Sequence, residues 1–417
     1  MLRRVSLTVS SRLALTVFGL LSSIISARAL GEAGRGDYFF MVTLSATIVQ
    51  FTNFGLPSAA TYYVAQDRRL AASVVANAAW VSVVAATGTG VAVALVAHAV
   101  GMLQDTRVSF LFLAAFLSAP TLFFVIVANV LTGQERFAHF NVVEAMSRAV
   151  ALAAVVTAAV IGAGAGGFVG ATIVAWAIAS FAVGWTALRG GSFRLRFDAE
   201  LFSRGFRYAT KAYVITLLAF LVLRANIFLL RREFGPAELG LYSVAAQISD
   251  VLAIVPQSIA LVLFPRLVRE SGDRWIATRR AALTTGALMM VVCGFAAIVG
   301  GPVIRLLYGA SYGPSANVLR IMLPGVVCLG VANVISQYLG AEGNPRILLA
   351  VWGGAAALVV TLSLLLVPDH AGAGAAAALS VTYALVLVAI FAVAHRYRQG
   401  AGEAMRVDLE EMPPGAE

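Results

Sequence analysis

Gly31-Glu32-Ala33-Gly34-Arg35-Gly36-Asp37-Tyr38 is echoed by Gly235-Pro236-Ala237-Glu238-Leu239-Gly240-Leu241-Tyr242. Gly, Ala, Gly and Tyr recur at a constant offset of 204 positions (235 − 31), and Ser45 with Ser249 extends the match. A second echo, Gly133-Gln134-Glu135-Arg136 against Gly343-Asn344-Pro345-Arg346, lies at an offset of 210 (343 − 133). Glycine and alanine are common in this chain, so single matches carry little. Five matches in fifteen positions, at equivalent places in two halves, read as a duplication.

The duplicated unit is a set of membrane spans. Apolar residues make up 60% of the 417 and charged residues only 12%, with a mean hydropathy of +0.89. Soluble domains carry about a quarter charged residues. A bilayer core needs roughly 20 apolar residues per helix. On that measure the runs fall at 9–28, 38–62, 72–100, 109–132, 141–162 and 168–188, then at 209–230, 240–264, 282–304, 317–340, 347–367 and 374–394. The run 72–100 is interrupted by Gly88 and Gly90. Six spans per half is an even number, so both halves insert in the same sense and form parallel repeats. The expected fold is an all-α polytopic membrane protein: about twelve helices in two parallel six-helix bundles around a central cavity. Residues 1–188 would form the first bundle, 189–208 a basic cytoplasmic linker, 209–395 the second bundle, and 396–417 a disordered cytoplasmic tail.

Charge sets the orientation. Of the 30 basic residues (Lys211 is the only lysine), 21 fall in gaps on the side of the N-terminus, six on the other side and three within spans. Basic loops stay cytoplasmic, so both termini should face the cytoplasm. The net charge of +10 sits in short gaps rather than on one face of a soluble module, which argues against nucleic acid. Phe193-Arg194-Leu195-Arg196-Phe197 in the linker could lie along anionic lipid, although a plain topogenic linker is the favoured reading. Arg3 and Arg4 followed by Leu13 to Ala27 imitate a signal peptide; the spans that follow favour an uncleaved first helix.

Catalytic motifs are missing. The sequence contains no phosphate-binding P-loop, no Gly-x-Ser-x-Gly elbow and no His-Glu-x-x-His pattern. Cys293, Cys328 and four scattered histidines show no ligand spacing, so no cofactor or metal is expected. Ionisable residues inside spans are the better lead, because lipid makes them costly. Glu144 and Arg148 are spaced to pair on one helix face. Arg224 lies deep in the seventh span, Asp250 near the middle of the eighth, and Arg28 and Lys211 flank span ends. A cationic cavity would suit a pyrophosphate, since arginine stays charged and binds phosphate oxygens in pairs. Structural pairing, Glu144 with Arg148 and Arg224 with Asp250, explains the same residues.

With these residues assembled, the chain resembles a lipid-linked oligosaccharide flippase of the polysaccharide-exporter branch of the multidrug/oligosaccharidyl-lipid/polysaccharide superfamily. The resemblance rests on Leu30 to Tyr38, Phe54-Gly55-Leu56-Pro57, Gly133 to Phe137, Phe234 to Ser243, Leu263-Phe264-Pro265-Arg266 and Leu307-Tyr308-Gly309, in that order. It covers nearly all of residues 10–395. It implies transport of undecaprenyl-pyrophosphate-linked sugars from the inner to the outer leaflet of the bacterial cytoplasmic membrane by alternating access. Substrate-binding candidates are then Arg224, Asn226, Arg148, Arg28 and Lys211; ion-coupling candidates, for H+ or Na+, are Asp250 and Glu144. Similar proteins often read Arg-x-Asp where this chain reads Arg224-Ala225-Asn226, so an acid used there for coupling would be absent. Polysaccharide polymerase and glycosyltransferases are the implied protein partners, and membrane lipid surrounds the chain. An ion-coupled drug or metabolite antiporter of the same superfamily remains an alternative, as does a membrane glycan polymerase or ligase, which the short outer gaps disfavour.

Overall fold

The computed structural model describes residues 2–99, 107–189, 195–269, 274–343 and 346–410. Among them there is no strand. The helices are α1 (Leu2–Thr52), α2 (Leu56–Gln66), α3 (Ala71–Trp80), α4 (Thr87–Ala99), α5 (Val108–Gly133), α6 (Phe137–Val160), α7 (Ala165–Leu188), α8 (Ala199–Leu252), α9 (Ile254–Arg269), α10 (Arg274–Tyr308), α11 (Ser315–Ala341) and α12 (Ile347–Glu410).

Nine helical stretches among the described residues are long and apolar enough to cross a membrane. Three of them turn back on themselves, at Gly31 (φ 64°, ψ −176°) in α1, Gly235 (φ 75°, ψ −166°) in α8 and Ala371 (φ 48°, ψ −129°) in α12. In a straight helix, rising 1.5 Å per residue, Ser23 and Arg35 would stand about 18 Å apart. Instead Arg35 Nη2 lies 3.1 Å from Ser23 Oγ. Asn226 and Tyr242, about 24 Å apart on a straight helix, are joined by a 2.6 Å hydrogen bond. Near the third turn, Gly374 lies against the Leu366 carbonyl. Nine stretches with three reversals make twelve crossing segments, as the hydropathy pattern requires. Gly31 and Gly235 occupy a backbone region that only glycine enters freely. The echo at an offset of 204 is therefore one turn built twice.

The third crossing departs from the sequence in detail. Its irregularity is a π-helical stretch at Val81–Ala86 rather than a break at Gly88 or Gly90. Gly90 instead lets the backbone approach Ala115 of α5, the use membrane interfaces make of small residues. The segment read as a linker is helical from Ala199. Asp198 Oδ1 accepts from the Leu201 N–H at 2.9 Å, and Asp198 exchanges two bonds with Asn77, at 2.9 and 2.7 Å. Phe193 and Arg194 lie outside the described residues. The C-terminal helix runs on to Glu410, through most of the stretch expected to be disordered; 411–417 are outside the described residues.

The chain divides into two compact units, Met1–Gln247 with Ile304–Ser315, and Ile248–Val303 with Ala316–Glu417. In the first, α5 is the central helix, with Ala114, Leu117, Leu122, Val127 and Leu131 buried. In the second, Leu319, Leu323 and Val326 of α11 are buried likewise. Each of these helices carries an internal proline, Pro120 or Pro324, which deprives the preceding turn of a donor. A hydroxyl bonds the carbonyl three residues before each proline. Thr121 Oγ1 donates to the Leu117 carbonyl (2.9 Å), and Ser380 Oγ donates to Ile321 (2.6 Å). Leu117 and Ile321 are themselves 204 positions apart (321 − 117).

Candidate functional site

The two glycine turns lie in the first unit and clasp one another. A Cβ on Gly36 would overlap the Pro236 carbonyl, and a Cβ on Gly240 would overlap the Glu32 carbonyl. Glu32 and Pro236 are equivalent positions, as are Gly36 and Gly240. Each repeat therefore presents the same carbonyl to the other's glycine, a pseudo-twofold contact. Backbones this close require glycine on both sides.

Two arginines are buried beside the clasp. Arg35 is 4% exposed and Arg231 3%. Arg231 Nη2 lies 3.0 Å from Asp37 Oδ1, and its guanidinium sits 5.7 Å from the Phe40 ring centre. Arg231 is almost wholly removed from water while Asp37 keeps some exposure, so breaking the pair would strand the buried arginine's charge. Arg35 is held differently. Its Nη1, Nη2 and Nε donate to the hydroxyls of Ser26 (2.6 Å), Ser23 (3.1 Å) and Ser243 (3.2 Å). Its guanidinium lies 5.8 Å from the Tyr38 ring centre. No carboxylate among the described residues pairs with it.

The loop after α10 completes the wall. Tyr308 and Tyr312 are buried and anchored on α1: Tyr308 lies 3.3 Å from Ser23 Oγ, and Tyr312 donates to the Ala27 carbonyl at 3.1 Å. Burial pushes the Tyr312 phenol up to about 12, against the opposing pull of Arg35. Tyr312 is thus a neutral donor at any physiological pH. Ser315 Oγ, donating to the Leu241 carbonyl at 2.8 Å, ties the far end of the loop to α8.

The sequence candidates scatter around this cluster. Arg28, exposed, spends its fork on the end of α10, with Nε to the Leu307 carbonyl (2.7 Å) and Nη2 to Leu306 (2.6 Å). A cation on two terminal carbonyls is a helix cap. Asn226 is fully buried, and its Nδ2 donates to the Tyr242 hydroxyl. Arg224 is half-buried on α8, and Asp250 is exposed near the end of the same helix. The anticipated pairing of Glu144 with Arg148 does not form. The Arg148 guanidinium reaches across to α7 and lies 5.8 Å from the Trp176 ring centre, while Glu144 stays half-buried on α6. A cation–aromatic contact between helices displaces the weak pairing along one helix. The side chain of Lys211 lies outside the described residues. Arg35, Asp37 and Arg231 lie in the gaps between apolar runs, and their place in or beside the repeated turn is the one mark that the sequence carries of them.

Residues 1–270 match the model of a family described as "Polysaccharide biosynthesis protein". The chain belongs to this family. Among curated relatives, a stretch of 114 residues is 26% identical to the EPS I polysaccharide export inner membrane protein EpsE of Ralstonia nicotianae, covering 26% of each chain. The match thus spans about a quarter of that protein's length. The architecture is similar to that of the lipid II flippase MurJ in an inward closed conformation, with a TM-score of 0.72 and 14% identity over 93% of this chain and 87% of that one. It is equally similar to an inward-facing multidrug resistance MATE family transporter of the MOP superfamily, with a TM-score of 0.73 and 15% identity over 93% and 95%. Identity that low establishes the fold and nothing finer. This member of the polysaccharide biosynthesis family is a multi-pass membrane protein with the fold of these two structures, one described as a flippase and the other as a transporter.

Proposed function

We propose that this protein flips a polyprenyl-pyrophosphate-linked oligosaccharide, carried on undecaprenyl, from the inner to the outer leaflet of the bacterial cytoplasmic membrane for polysaccharide assembly. The observation that carries the reading is the match to the polysaccharide biosynthesis family on a transporter fold. Both termini face the cytoplasm, as the distribution of basic residues requires, which puts the glycine clasp on the outer side. Alternating access then consists of closing the cytoplasmic end and opening the clasp. Arg224 and Arg148 are candidates to meet the pyrophosphate, and Asp250 and Glu144 to couple an ion. Polysaccharide polymerase and glycosyltransferases would act after and before the flip.

Depletion of the protein in its host, followed by mass spectrometry of extracted polyprenyl lipids, tests this. Build-up of one undecaprenyl-pyrophosphate glycan is the expected result and names the cargo. An unchanged lipid pool with altered sensitivity to small toxic molecules would overturn it in favour of an antiporter of the same fold.

A further inference from the structure

Arg35 is a buried cation whose three nitrogens all bond hydroxyls and none a carboxylate among the described residues. A guanidinium has five N–H donors, and three of them meet hydroxyls. Those hydroxyls are neutral and no carboxylate among the described residues balances the charge. Burying a charge is costly unless it is paired. Arg231, a few residues before the other turn, shows the ordinary solution, an ion pair with Asp37. Arg35 lacks one although the same turn supplies Asp37 and Glu32.

The three hydroxyls also differ in origin. Ser23 and Ser26 belong to the helix before the first turn and stay with Arg35 whatever the second turn does. Ser243 belongs to the second repeat, and its bond to Arg35 is the longest of the three, 3.2 Å. Of Arg35's three bonds, separating the clasp between Gly36 and Pro236 breaks only that one. It leaves a guanidinium already oriented by two serines, with one edge uncovered.

We propose that Arg35, Ser23 and Ser26 form a phosphate site that is covered while the clasp is closed and accepts the diphosphate of the cargo lipid when it opens. The inference rests on the flippase reading and adds the residues that receive the anion on the release side. A diphosphate oxygen pair replaces the lost hydroxyl, turning a neutral contact into a charge-assisted, two-point one. Binding and opening are thereby coupled, because the ligand favours only the open state.

The test measures binding of undecaprenyl diphosphate to the purified protein in phosphatidylcholine nanodiscs, with undecaprenyl monophosphate and phosphatidylglycerol as comparison lipids. Arg35→Gln should weaken diphosphate binding about tenfold to a hundredfold, the worth of charge-assisted bonds. Arg35→Lys should recover part of the loss. Ser243→Ala, which removes the closed-state partner together with the Ser243 bond to the Gly240 carbonyl, should strengthen binding. A merely structural Arg35 predicts the opposite for Ser243→Ala, whose binding would fall with Arg35→Gln or not move. That result overturns the proposal, as does Arg35→Gln binding like the native protein or the native protein failing to bind. Equal retention of phosphatidylglycerol would assign the site to lipid headgroups and overturn it as a cargo site. If depletion still accumulates a lipid-linked glycan in any of these cases, the flippase reading stands and only Arg35 is withdrawn.

Discussion

Gly36 and Gly240 sit 204 positions apart and face each other's turns, each against a carbonyl that only a residue without a side chain can approach. An alanine at either position must push two backbones apart. Overpacking of this kind costs about 1–3 kcal/mol, and the loss falls on the clasped state alone. Gly36→Ala and Gly240→Ala should each lower the thermal unfolding midpoint in detergent and expose a cysteine placed at Ser23 to aqueous maleimide. Unchanged labelling in both variants would mean that the clasp tolerates separation.

The Asp37–Arg231 pair is the second bond across these segments. Asp37→Asn leaves Arg231 buried without its counter-charge, a loss of about 3 kcal/mol, near the lower end for breaking a buried pair because Asp37 keeps some exposure. The double variant Asp37→Asn with Arg231→Gln should be more stable than Asp37→Asn alone. Additive losses in the double-mutant cycle would show that the two side chains do not interact energetically.

Arg28 gives a direct test of capping against cargo binding. Arg28→Lys keeps the charge but cannot reach the Leu306 and Leu307 carbonyls together. The expected result is a lower unfolding temperature, by about 1 kcal/mol of lost hydrogen bonding, with binding of undecaprenyl diphosphate unchanged. Weakened binding with unaltered stability would return Arg28 to the cargo site.

For Asn226, replacement by leucine removes the amide that pairs with the Tyr242 hydroxyl in a fully buried site. Losing one buried hydrogen bond costs about 1 kcal/mol. Asn226→Leu combined with Tyr242→Phe should cost less than the sum of the two single changes, measured as the yield of folded protein after detergent extraction.

Tyr312 sets an alkaline limit. Its folded value near 12 lies above the ordinary phenol value of about 10, so folding favours the protonated form. That stabilisation is full below about pH 10 and is lost as pH rises toward 12. Unfolding temperatures measured from pH 8 to 11.5 should fall more steeply for the native protein than for Tyr312→Phe. Parallel curves would show that the phenol does not govern this limit.

Legibility in the sequence followed the physics of each feature. Gly133-Gln134-Glu135-Arg136 read as a turn between spans and is one, with Glu135 at φ 61°. Nothing in the order of residues signals that Arg136 and Gln134 donate to the Thr186 and Ala187 carbonyls, at 2.7 and 3.1 Å, and so cap α7. Arg28 likewise read as a span-end arginine that either snorkels or binds cargo. Its real partners are 278 and 279 residues away in the chain, a distance over which no periodicity speaks.

By itself the sequence determined the number of crossings and the duplication. A bilayer demands about twenty apolar residues per helix, and the positive φ with extended ψ found at Gly31 and Gly235 strongly favours glycine; both demands are local and leave a mark in the order of residues. Only the tertiary structure decided which arginines are buried. Arg35 and Arg231 look like any interfacial arginine beside a turn. They lose their water because the two turns meet backbone to backbone, and that meeting joins segments roughly two hundred residues apart.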